Sequence, residues 1–191
     1  MKKTAHTQIE IHPLIAERWS PRSFDEDAVI STDDVLGLLE AARWAPSASN
    51  TQPWRFAVAR RGEELFTEFH ATLAGFNKAW TPRAAALVLL AAETIDAEGK
   101  PRKWALYDSG LAASLLTVEA HARGYHVHTM GGFNADEVRR ILSLHENVQP
   151  LTMLAIGKLA PAEQLEEALH QREIAERQRL PLNDLLLKPL E

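Results

Sequence analysis

Apolar and polar positions along this chain alternate with two periods, and the changes between them mark its elements. His12-Pro13 ahead of Leu14, Ile15 and Ala16 predicts a short first helix with proline at its opening position. Val35, Leu38, Leu39 and Ala42 follow i, i+3, i+4, i+7 spacing behind Ser31 or Thr32, which predicts a capped helix ended by Pro46. The Trp-x-Phe-x-Val run predicts a strand over residues 53–59. Helical spacing then returns from Glu63 to about Ala74, with Leu65, Phe66, Phe69 and Leu73 as its apolar face and the two phenylalanines in the core. Residues 84–92 are apolar without a break, between Thr81-Pro82 and a polar loop, and read as a buried central strand.

Residues 104–123 predict a long core helix with Tyr107, Leu111, Leu115, Val118 and Ala122 on one stripe and Gly124 as its stop. Val127 and Thr129 suggest a short strand running into Gly131-Gly132. Asn134 and Glu137 then form a capping-box pattern for a helix carrying Val138, Ile141 and Leu142. Residues 151–157 predict the last clear strand. From Pro161 to about Arg177 the chain reads as helical and heavily charged, and an apolar tail with Leu180, Leu182, Leu185, Leu186 and Leu187 follows. Strands and helices alternate without repeat, low-complexity tract or linker. This implies one mixed α/β domain over residues 1–191, with about 160–191 as a C-terminal arm.

Composition narrows the function classes. A chain of 191 residues with 46% hydrophobic content is one ordinary globular domain by expectation. The net charge of −5, with acids and bases interleaved, offers no broad positive field for a nucleic-acid backbone. No apolar run approaches the roughly 18 residues of a membrane span. Lys2 and Lys3 lead into polar residues rather than a secretory h-region, and with no cysteine there is no disulfide or thiolate site. Cytoplasm is the default expectation.

Two stretches carry candidate chemistry. In Arg18-Trp19-Ser20-Pro21-Arg22-Ser23-Phe24 the proline breaks helical geometry, so both arginines are free to face one cavity. Planar, always-charged guanidinium groups suit phosphate oxygens and electron-rich ring edges. In Ala45-Pro46-Ser47-Ala48-Ser49-Asn50-Thr51-Gln52-Pro53-Trp54, hydroxyls and carboxamides gather at a strand entrance. Such groups both donate and accept, which suits a mixed edge of carbonyls and ring nitrogens such as that of a flavin. No Gly-x-Gly-x-x-Gly or Gly-x-x-x-x-Gly-Lys loop is present, so a phosphate must be held by side chains.

Together with Gly131-Gly132-Phe133 and the closing Arg177-Gln178-Arg179-Leu180-Pro181-Leu182, these stretches resemble the nitroreductase family of FMN-dependent oxidoreductases, in the family's order and over nearly the whole chain. The resemblance implies an α+β fold, a three-layer mixed sheet flanked by helices, with a C-terminal extension that wraps a partner subunit. It implies tightly bound FMN whose phosphate is gripped by Arg18, Arg177 and Arg179 with Ser20, and Arg22 near the pyrimidine edge. Ser47, Ser49, Asn50 and Gln52 would ring the isoalloxazine, and Gly131 and Gly132 would approach N5. It further implies NADH or NADPH as donor, small electron-poor acceptors such as nitro compounds or quinones, ping-pong turnover, and a homodimer with shared sites. Trp19 stands where a second basic residue is common, and the charged stretch over residues 161–176 lengthens the path to the terminal arginines.

Rival readings start from other residues. His126 and His128 would share one strand face with His121 nearby in sequence, a spacing compatible with a metal-dependent hydrolase, though no carboxylate on that face is evident. Another use of the flavin, such as flavin reduction or remodelling, is an alternative within the family, and Trp80, Trp104 and Tyr107 could shape either site. An interaction module would use the charged tail. Asn77 reads as a turn residue.

Overall fold

Proline opens helix α1 (Pro13–Glu17) at a position that needs no N–H, and His12 Nδ1 accepts the Leu14 N–H at 3.2 Å. The backbone turns extended at Arg18, so the arginine segment leaves the helix at once. In the computed structural model, which describes residues 3–189, Ser31 Oγ accepts the Asp34 N–H at 3.0 Å and so caps α2 (Thr32–Arg43). β1 (Trp54–Arg60), α3 (Glu64–Thr72), the single turn α4 (Asn77–Trp80) and β2 (Ala86–Glu93) follow. α5 (Ala105–Ala122) leads to β3 (His126–Met130), α6 (Ala135–Ile141) leads to β4 (Val148–Gly157), and α7 (Glu167–Ile174) comes last. Asn134 Oδ1 caps α6 by accepting the Glu137 N–H at 3.1 Å, while the Glu137 carboxylate turns to Arg140 instead of completing the expected box. Residues 1, 2, 190 and 191, which carry Lys2 and the end of the expected arm, lie outside the described residues.

The sheet order is β1-β2-β4-β3, and every pairing is antiparallel. The α+β class with helices on both faces stands, but the expected mixture of strand directions is corrected. β2 and β3 run the same way across α5, yet β4 lies between them, so among the described residues each strand meets only antiparallel neighbours.

β2 explains why the molecule is layered. Leu87, Leu89 and Ala91 pack with Phe24, Phe66, Phe69, Trp80 and Met153, whereas Ala86, Val88 and Leu90 pack with Leu38, Ala42, Leu116, Leu154 and Ile156. A strand apolar on both faces needs a helical layer on each, and α2 with α5 supplies one while α3, α6 and α7 supply the other.

Two helical expectations change. The buried face of α5 is Ala105, Asp108, Ser109, Ala112, Leu116 and Ala120, and of the predicted stripe Leu111 packs partly buried against the core while Tyr107 and Leu115 are 65% and 38% exposed. Apolar residues ring this helix, so their spacing names no single face, and small side chains let it sit close on the sheet while bulky ones turn outward. The charged C-terminal stretch does not run as one helix to Arg177. A 3₁₀ turn at Ala162–Gln164 precedes α7, and Ala175 is already extended. No described helix is long and apolar enough to cross a membrane.

Candidate functional site

The arginine segment is strapped down from two sides. From the sheet edge, His128 Nδ1 donates to the Pro21 carbonyl at 2.8 Å; the carbonyl can only accept, so this nitrogen carries the proton. The Trp19 ring, only 7% exposed, meets His126 edge-on at 6.5 Å with the Lys3 ammonium 4.7 Å over its face. From α7, the buried Glu173 carboxylate accepts the Arg22 N–H at 2.9 and 3.0 Å and the Ser23 N–H at 3.0 Å. Phe24 closes the segment in the core, against Trp80 and against Gly157, where a Cβ would stand 2.7 Å from the Phe24 ring. A side chain at residue 157 would therefore displace Phe24.

These straps gather the cations. A cavity of about 280 Å³ is lined by Arg18, Trp19, Ser20, Arg22, Arg177 and Arg179, with Lys3 and Arg172 adding two further positive charges and Glu176 one negative charge. The motif near the N-terminus and the terminal arginines thus meet across nearly the whole sequence. The 161–176 stretch does not carry them apart, because α7 folds back beneath Arg22. Arg177 is aimed by donating Nη1 to the Lys3 and Ala16 carbonyls at 2.7 and 2.6 Å. Arg18 makes no side-chain hydrogen bond or ion pair among the described residues. Burial, then the neighbouring Arg179 charge, holds its pKa below the usual arginine value, and Arg177 is lowered by burial and then by Arg18 and Arg179. Such a cavity favours an anion.

The second stretch forms a strained, exposed turn. Ser49, Asn50 and Gln52 have φ of 51°, 57° and 45°, a region that costs a non-glycine residue about 1–3 kcal/mol. Surrounding bonds hold it there. Ser47 Oγ accepts the Gln52 N–H at 3.0 Å, and the buried Asp108 Oδ2 accepts the Ala48 N–H at 3.1 Å. Arg102 donates to Thr51 O at 2.7 Å and Arg55 to Gln52 O at 3.0 Å, both arginines pairing with Glu93. The side chains of Ser49, Asn50 and Gln52 are left at the surface.

Ser47, Ser49, Asn50 and Gln52 do not line the arginine cavity, and neither do Gly131 and Gly132. The glycines are exposed and neither has a positive φ, so the turn itself does not demand glycine. A Cβ on Gly131 would meet nothing within 4 Å, and one on Gly132 would first meet Asn77 Nδ2 at 3.4 Å. Asn77, read from sequence as a turn residue, donates to the Gly132 carbonyl at 3.5 Å.

The histidines take other parts. His121 and His126 meet edge-on at 5.1 Å, and the His128 ring lies 4.6 Å from that of Trp80. Among the described residues no three histidine or carboxylate groups are placed to hold a metal. Trp80 is 1% exposed and so lines no open site, whereas Trp104 and Tyr107 form an exposed edge-on pair at 6.3 Å. Sequence reasoning missed Glu173, Asp108 and the bracing role of His128. The one available signal for Glu173 was its i+4 relation to the apolar Leu169, which is also buried.

Comparison with known proteins follows the same geometry. Residues 15–79 and 64–158 match the model described as the nitroreductase family. A solved structure described as the oxidoreductase containing FMN is 34% identical, with a TM-score of 0.91 over 96% of this chain and 94% of that one. YdgI of Bacillus subtilis (strain 168), provisionally named an NAD(P)H nitroreductase, is 29% identical over 77% of this chain and 87% of its own. A nitroreductase family protein from Streptococcus pneumoniae TIGR4 shares the fold at 21% identity, with a TM-score of 0.74 over 92% of this chain and 98% of that one.

The half-buried histidines His126 and His128 give the scaffold a pH dependence. Desolvation lowers His126 and His128 from 6.5 to about 4. The unfolded chain therefore takes up protons first, and stability present above pH 6.5 is lost as the pH falls toward 4. For the more buried His128 the loss amounts to at most about 3 kcal/mol. Urea midpoints should fall between pH 6.5 and 4.5, with a shallower fall in His128→Asn; a flat profile for the unsubstituted protein would contradict this.

Proposed function

The chain belongs to the nitroreductase family, and on that premise we propose that it is an FMN-dependent oxidoreductase that passes hydride from NADH or NADPH to small electron-poor acceptors such as nitro compounds or quinones. One observation carries the reading. Arg18, Arg177 and Arg179 share a cavity with Ser20, at the positions where the family's motifs fall, and two of these guanidinium groups have pKa values lowered by burial and then by neighbouring arginines, so the cavity, whose lining holds Glu176 as its one carboxylate, favours further negative charge. A phosphate dianion supplies that charge in a planar-donor setting.

When bound, FMN supplies the two-electron chemistry, and no side chain has to act as nucleophile. The residues do the rest. Arg18, Arg177, Arg179 and Ser20 hold the phosphate. Arg22 keeps a fixed positive charge in the same cavity, which favours negative charge developing on a reduced ring. Ser47, Ser49, Asn50 and Gln52 offer exposed donors and acceptors to a ring edge, and Gly131 and Gly132, exposed and without side chains, admit a ring closely, with open space around the Cβ position of Gly131. Trp19, the counterpart of a more usual basic residue, is spent on packing beneath Lys3 and against His126.

The two halves of this set do not line one cavity within the chain, and Leu180, Leu182, Leu185 and Leu187 of the tail stay exposed. Both facts support a homodimer in which the arginine cavity of one chain faces the Asn50 loop of its partner, with the tail wrapping the other subunit.

Three measurements check the reading. Purified protein should be yellow, and Arg18→Ala should weaken FMN about ten- to a hundredfold while leaving affinity for riboflavin, which lacks the phosphate, unchanged; equal losses for both ligands would remove Arg18 from the phosphate site. Steady-state turnover with NADH or NADPH and a quinone should give parallel double-reciprocal lines, and intersecting lines would rule out a shared face for donor and acceptor. Arg22→Glu and Asn50→Asp should each abolish activity. Refolding the two variants together should restore it through one unlesioned site per mixed dimer, and absence of recovery with competent refolding controls would place each site within a single chain.

A further inference from the structure

Only two carboxylates are buried among the described residues, Asp108 at 3% and Glu173 at 1% exposure, and each closes on backbone N–H groups of one of the two motif stretches. Glu173 does more than close a turn. Its Oε2 lies 3.7 Å from Arg22 Nη1, beyond hydrogen-bond length, so the guanidinium is attracted toward it without a donor being consumed. The Glu173 main-chain carbonyl accepts Lys3 Nζ at 2.6 Å. Burying a carboxylate is costly unless hydrogen bonds and opposite charge compensate, and here the N–H groups and the surrounding cations do so. The arrangement also has an electrostatic effect. A fixed negative charge stands directly behind the arginine whose positive charge faces the cavity.

We propose that Glu173 is a positioning residue that sets how much of the Arg22 charge reaches the cavity, and thereby sets the reduction potential of the bound flavin. This role, which rests on the FMN reading above, follows from charge and geometry. Two-electron reduction adds negative charge to the ring system, a neighbouring cation favours the reduced form, and a carboxylate behind that cation offsets it. The Arg22 and Ser23 N–H bonds meanwhile fix the backbone from which the guanidinium projects. Glutamine in place of Glu173 keeps the volume, removes the charge and turns one acceptor into a donor facing the Arg22 N–H. Aspartate keeps the charge but withdraws it by one methylene.

The test is an equilibrium redox titration of the FMN-loaded wild type, Glu173→Gln and Glu173→Asp. Glu173→Gln should bind reduced FMN about tenfold more tightly, relative to oxidised FMN, than the wild type does, a midpoint about 30 mV more positive for a two-electron couple. Glu173→Asp should shift in the same direction by less. A purely structural role would lower FMN affinity in both oxidation states and leave the midpoint in place. An unmoved or more negative midpoint in Glu173→Gln, or an equal shift in the aspartate variant, overturns the proposal. If Glu173→Gln does not fold, Glu173→Asp decides by whether its midpoint rises, and failure of both to fold assigns Glu173 to stability alone. A wild-type protein that binds no FMN overturns the flavin reading and the proposal with it, whereas FMN bound at an unchanged midpoint overturns only the role of Glu173.

Discussion

Several guanidinium groups and an ammonium converge on a cavity of about 280 Å³ only because fixed backbone groups hold them against their mutual repulsion. Glu173 is central to that restraint. It joins the last helix to the first motif through the Arg22 and Ser23 N–H groups and provides the one deeply buried opposite charge. The Arg177 guanidinium, bonded to the Lys3 and Ala16 carbonyls, ties the same two ends of the chain a second time. Since neither interaction is local in sequence, the cavity exists only once both termini have docked.

Docking in turn requires the sheet. β3 carries His128 to the Pro21 carbonyl and His126 to Trp19, and it is placed by β4, which fills the gap that the α5 crossover leaves beside β2. Burial that keeps both histidines neutral near pH 7 spares the site two more positive charges beside arginines that already repel one another. The carbonyl contact with Pro21 alone would favour a charged imidazole at His128, and burial outweighs it.

What could be read from sequence and what could not divides along a physical line. Periodic patterns with one clear face were legible, as in α2 with Leu38 and Ala42, or the unbroken apolar run that became β2. The motif residues were singled out from sequence, and the structure brings Arg18, Ser20, Arg22, Arg177 and Arg179 to one cavity. The face of α5 was not legible, because apolar residues ring the helix and packing alone chose the side bearing Ala105, Ala112 and Leu116. Glu173 was hidden among charges that elsewhere in the same stretch are exposed, and only a partner some 150 positions away gives it a reason to be buried. Trp80 was drawn into the core by Phe24 and His128 instead of toward an open site.

The outward features share one property, which is that the chain bears a conformational cost there without a return inside itself. Ser49, Asn50 and Gln52 hold left-handed backbone angles and still present their side chains to solvent. Gly131 has no need of its missing Cβ for its own turn, and Gly110 sits within α5, where alanine would be about 1 kcal/mol more favourable and nothing lies within 4 Å. The tail leucines remain uncovered after an arm that is otherwise anchored at Arg177. Strain, bare glycine and exposed leucine at unrelated points in the sequence fit the proposed homodimer, in which the binding surface would be completed by a second copy of the chain. The buried carboxylates Asp108 and Glu173 fix the backbone of each motif stretch, so that in the proposed site little would remain to be ordered on binding.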